Sequence, residues 1–174
     1  MASIIRGDDN FDTAATGVLL STSVATTSGT SIDFTGIPVG VKRLTVVFSA
    51  VGTSGTSHMV LRIGDSTIST SGYDAQGGYL TTAGSNITST TSFPFYSDNA
   101  SWVLNGSIVF NLVSGNTWSA SYSLGGGTAV VSSGVSMFGG GTKTLSSALS
   151  KLRLTTINGS QAFNAGSVNV SWEF

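Results

Sequence analysis

Cysteine is absent from these 174 residues, histidine occurs once (His58) and proline twice. The first absence removes disulfide frameworks, thiol catalysis and cysteine-based zinc sites together. The second leaves one imidazole, and no catalytic triad can be assembled around it from the sequence. Charged side chains make up 9% of the chain, about a third of the usual share. The seven basic residues are scattered and offset by eight acids. That balance offers no phosphate-binding surface, so nucleic acid is not an expected partner. No long apolar run is present either, so no secretion signal and no membrane insertion are expected, and synthesis is assigned to the cytoplasm.

What fills the chain is Gly, Ser and Thr, punctuating short runs in which Val, Leu, Ile and Phe alternate with polar residues. Period-two alternation marks half-buried strands, and no window of helical length shows a helical period. Residues 31–34 alternate, and residues 35–40 form a turn by their Gly and Pro. Residues 42–51 are a strong strand with Leu44, Val46, Phe48 and Ala50 on one face. Another covers 58–63. The polar stretch 69–92 reads as loops with short strands near 78–82 and 87–90, and Phe93–Tyr96 as an edge strand, where proline is tolerated. Residues 102–113 form a long strand bent at Gly106, followed by a hairpin at 114–116 and a strand over 117–124. Gly125–Gly127 reads as a loop, and Gly139–Gly141 as a break between strands at 130–138 and 143–149. Residues 151–157 end at the Asn158-Gly159 turn. The last strand, 167–174, directs Val168, Val170, Trp172 and Phe174 inward. Strands at this spacing predict a β-sandwich over residues 18–174.

Residues 1–17 differ from the rest. Ile4, Ile5 and Phe11 are apolar anchors beside Arg6, Asp8 and Asp9, which reads as an extended N-terminal arm docked on a partner. Catalytic chemistry finds little material. Asp65, Asp74 and Asp98 sit in turn-like contexts that suit backbone capping, while Asp33 and Glu173 occupy polar positions of alternating strands. A glycosidase pair is therefore not expected. Asp8-Asp9-Asn10 and Asp12 lack the glycine and terminal acid of a calcium loop. The Gly triplets open no helix and bind no phosphate. The sequence thus assigns no catalytic residue, no cofactor and no metal. Tyr73 and Tyr79, read as lying in Gly-rich loops, are the ligand or interface candidates, with a host-surface glycan as the ligand class such rings suit.

Four segments carry a resemblance: Ser31-Ile32-Asp33-Phe34-Thr35-Gly36-Ile37-Pro38, Val41–Val46, Leu152–Gly159 and Phe163–Val170. Together they resemble small β-rich virion structural proteins of tailed bacteriophages, the jelly-roll family of tail-fibre and decoration type. The opening, residues 4–12, is similar to the short peptides that attach phage fibres to a particle. The resemblance implies an all-β, jelly-roll-like antiparallel β-sandwich with an extended N-terminal arm, and no enzyme. It implies a homotrimeric tail fibre or receptor-binding component, bound through its arm to other virion proteins and located in the virion. The alternative is a capsid decoration (cement) protein stabilising the head; a surface-glycan hydrolase ranks third.

Overall fold

The computed structural model describes residues 17–80, 84–128 and 134–174. They hold thirteen strands and no helix: β1 (Leu19–Leu20), β2 (Val24–Ala25), β3 (Ser31–Thr35), β4 (Arg43–Thr53), β5 (Met59–Gly64), β6 (Tyr73–Leu80), β7 (Ser85–Ser89), β8 (Phe93–Pro94), β9 (Trp102–Ser114), β10 (Thr117–Thr128), β11 (Gly134–Thr144), β12 (Lys151–Thr156) and β13 (Phe163–Glu173). The larger sheet runs β1-β13-β4-β9-β10-β11-β6-β7, with β2 also on β13. The smaller runs β3-β12-β5-β8.

Setting β6, β7, β10 and β11 aside, the chain lays β1/β2-β13-β4-β9 against β3-β12-β5-β8, which is the wrap of a jelly roll. The pair β6–β7 is inserted between β5 and β8, and β10–β11 between β9 and β12. The two insertions meet through the β11–β6 ladder and widen the larger sheet by four strands. The chain is an all-β, antiparallel jelly-roll sandwich. The arm residues Ile4, Ile5, Arg6, Asp8, Asp9 and Phe11 lie outside the described residues.

The core follows from the alternation. Leu44, Val46 and Phe48 of β4 meet Ile108 and Phe110 of β9, with Leu152 and Leu154 of β12 and Leu61 and Ile63 of β5 opposite, all buried. The short strand β8 sits at the centre of an aromatic cluster. Phe93 packs edge-on against Tyr73 (5.1 Å) and Phe110 (5.3 Å). Phe95 does the same with Tyr122 (5.2 Å) and Phe48 (5.8 Å). Two tyrosines of the larger sheet then bond to the backbone of the smaller one. The Tyr122 hydroxyl donates to the Pro94 carbonyl at 2.6 Å. The Tyr73 hydroxyl accepts from the Ile63 N–H at 3.0 Å and lies 3.1 Å from the Ile63 carbonyl. These bonds give partners to two buried tyrosine hydroxyls, and the Ile63 carbonyl also accepts the Ser69 N–H at 3.0 Å.

Five expectations need correction. Gly125–Gly127 is no loop: it continues β10, paired on both sides. Gly139–Gly141 does not divide two strands but lies within β11, between β10 and β6. Stretch 69–92 contains an eight-residue strand, β6, where loops with short strands were expected. The inward row of β4 breaks at Ala50, whose φ of 53° marks a bulge after which Val51 takes the buried position. At the C-terminus Val168 and Val170 are buried as expected, but Phe174 is 44% exposed, beyond the end of β13. The hairpin at 114–116 and the bend at Gly106 (φ 126°) stand as read; only Gly115 of the two-residue turn has positive φ, the sign pattern of a II′ turn.

Candidate functional site

The register of the larger sheet fixes which residues face outward. Three rows cross it: Glu173, Arg43, Asn111, Ser119, Thr142 and Asp74; then Ser171, Thr45, Val109, Ser121, Gly140 and Gln76; then Asn169, Val47, Ser107, Ser123, Phe138 and Gly78. Residues Asn86 and Thr88 of β7 extend the last two rows. Among the described residues these rows hold three charged groups, of which Arg43 and Glu173 stand 3.6 Å apart. Charge is concentrated instead on the smaller sheet's outer face. There Arg153 grips Asp33 with two hydrogen bonds of 2.7 and 2.6 Å, and Arg62 lies opposite Arg153 in the ladder. The Asp33 carboxylate holds the Arg153 guanidinium above its ordinary pKa.

A recess of about 1000 Å³ opens in the broad face over β11, β6 and β7. Gly140 and Gly78 form its floor because no side chain can stand there. A Cβ on Gly140 would meet the Ala120 carbonyl oxygen at 2.4 Å, and one on Gly78 the Ser85 carbonyl oxygen at 2.9 Å. Asp74, Gln76, Asn86, Thr88 and Thr142 line the recess with polar groups, and the half-exposed ring of Phe138 supplies its apolar wall. None of those five side chains is hydrogen-bonded to another described residue.

The two tyrosines singled out by the sequence do not line it. Tyr73 and Tyr79 share the inward face of β6, six residues or about 20 Å apart. Tyr73 is 3% exposed and its hydroxyl is spent on Ile63, so it is core and not a presented ring; burial pushes its pKa up to about 12. The Gly-rich context suggested a loop, but it reflects close strand packing. Tyr79 is half-buried and stacks on Tyr96 at 4.0 Å, which in turn lies 4.5 Å from His58. The hydrogen bond with Tyr79, with burial, raises Tyr96 to about 12. His58 Nδ1 accepts the Ser97 N–H at 3.0 Å, which places the proton of the neutral ring on Nε2. Asp74, read as a turn-capping residue, stands instead at an exposed position of β6. Gln76, Asn86, Thr88 and Thr142 were missed because their signal, polar residues two apart beside glycine, resembles loop composition.

Asp65 serves the fold. Its carboxylate takes a hydrogen bond from the Ser146 hydroxyl at 2.5 Å, from the Ser147 N–H at 3.0 Å and from the Ser66 N–H at 2.7 Å. It thereby ties the end of β5 to the segment between β11 and β12. These bonds, that of Ser146 foremost, hold the carboxyl well below the ordinary carboxylate range against the opposing effect of burial. The unfolded chain therefore takes up the proton first as pH falls. The stabilisation is complete above about pH 4 and is lost as pH falls further toward the folded pKa. Asp65→Asn should lower the melting temperature at pH 7, with the gap to wild type narrowing between about pH 4 and pH 2. A gap constant with pH would show that the carboxylate charge contributes nothing.

No family model, curated protein or solved structure matches the chain. Among the described residues no helix is long and apolar enough to cross a membrane.

Proposed function

We propose that this chain is a structural component of a bacteriophage particle, a trimeric tail-fibre or receptor-binding part held to a neighbouring virion protein by residues 1–17. The observation that supports this reading is the broad outer face of the larger sheet, eight strands wide and built from Ser, Thr, Asn and Gly with few charges. Identical subunits can pack through such a face with little cost in desolvated charge. The jelly-roll wrap supplies the rigid body on which a surface is displayed, and no step of the fold depends on an oxidising compartment. Display, and not turnover, is the role in which so few ionisable groups are no handicap.

The test is the copy number of this polypeptide in purified phage particles, by quantitative mass spectrometry against the major shell protein. A small multiple of three per particle is expected, as for a symmetric trimer on the tail. A count comparable with the shell protein would replace the tail reading with that of a head decoration protein. Absence from particles would overturn both.

A further inference from the structure

We infer that the recess over β11, β6 and β7 binds a neutral oligosaccharide. The inference deepens the display reading, and rests on it in requiring that this part of the face stay open to ligand.

The chemistry narrows the ligand by what the recess offers and withholds. Its floor is the backbone of β11 and β6, each paired on both sides. The ladder has used their N–H and C=O groups, so the floor offers no backbone group to a ligand, and the sheet's free edge lies on the far side of β7. Recognition must come from side chains. Those available are one carboxylate (Asp74), two primary amides (Gln76, Asn86) and hydroxyls such as Thr88 and Thr142. Carboxylates and amides are planar groups with paired acceptors or donors, suited to adjacent hydroxyls on a ring. All five lack a partner among the described residues, so binding breaks no bond of the fold.

Charge excludes the other polar ligands. Among the described residues no Lys or Arg lines the recess, and its one charged group is the Asp74 carboxylate. A phosphate, sulfate or sugar acid would enter against that carboxylate with nothing to neutralise it. An apolar ligand fares no better: of the large apolar side chains among the described lining residues, Tyr122 is buried and Phe138, 48% exposed, alone presents its ring. A single ring beside glycine suits the C–H face of a pyranose. The volume, about 1000 Å³, accommodates more than one sugar ring.

The test is titration of the ¹⁵N-labelled full chain with neutral oligosaccharides (maltohexaose, chitohexaose and a mannohexaose), followed by two-dimensional amide spectra. A heparin hexasaccharide serves as the anionic arm. Saturable shifts at Gly78 and Gly139–Thr142 with at least one neutral probe are expected, and none with heparin. Asp74→Ala and Asn86→Ala are exposed changes that should leave the unliganded spectrum otherwise unaltered and each weaken binding about tenfold or more, while Asp33→Asn on the opposite sheet should not. The inference is overturned if no neutral probe shifts these amides, if heparin binds better, or if the Asp74 and Asn86 variants bind as wild type. The particle count stands apart from this titration, so either reading can fail alone.

Discussion

Replacing Phe93 by alanine should remove about 3–5 kcal/mol of stability. The ring is fully buried and lies between Tyr73 and Phe110, one from each wing of the larger sheet. Its strand contains two residues and, among the described strands, pairs only with β5, so the backbone has little to hold it once the ring is gone. Because Pro94 follows directly, loosening this segment also weakens the hydrogen bond that Tyr122 makes across the sandwich. The cavity cannot close by a neighbouring shift, since rigid aromatic rings surround it on both sides. Urea unfolding should show a lower midpoint at unchanged slope. A loss below about 1 kcal/mol would mean that the surrounding rings repack, contrary to this account.

The second large effect is expected at Gly141. A Cβ there would stand 2.4 Å from the Asp74 carbonyl oxygen and 2.5 Å from the Ala75 Cα, both backbone atoms of the adjoining strand. Neither can rotate aside, so even Gly141→Ala must push β11 away from β6 and should cost about 1–3 kcal/mol. Gly125 is the matched control. It lies in the same sheet, with nothing within 4 Å of its Cβ position and no positive φ. Gly125→Ala should be neutral or raise stability by about 0.4–1 kcal/mol, because alanine restricts the unfolded chain. Chemical denaturation of the two variants side by side decides the matter. Equal effects would show that these glycines are set by general strand propensity and not by close approach.

That contrast also explains how far the sequence was legible. Strands β3, β4, β5, β9, β12 and β13 were readable because one face packs on the core and the alternation of Leu44, Val46 and Phe48, or Val168 and Val170, survives intact. Glycine was the source of most errors. In an isolated reading Gly139-Gly140-Gly141 looks like a break; in the fold, neighbouring carbonyls forbid any side chain there. Nothing in the local sequence distinguishes the two cases, since the forbidding atoms belong to residues 74, 76 and 120. The same holds for Tyr73, whose partner at Ile63 is ten residues away on the other sheet. The recess was illegible for a related reason: its walls come from β6, β7 and β11, and only the β11–β6 ladder brings them together.

The topology also bears on how the chain is made. In the smaller sheet β12 stands between β3 and β5, yet it follows β5 by more than 80 residues. At about 5–20 residues per second, β3 and β5 wait on the order of ten seconds on the ribosome for the strand that joins them. The larger sheet waits longer still, because β13 links β1 and β2 to β4. Sheets assembled from such distant segments fold slowly. During that interval the nascent chain has little charge repulsion to keep copies apart, and its resistance to aggregation rests on hydrated Ser and Thr.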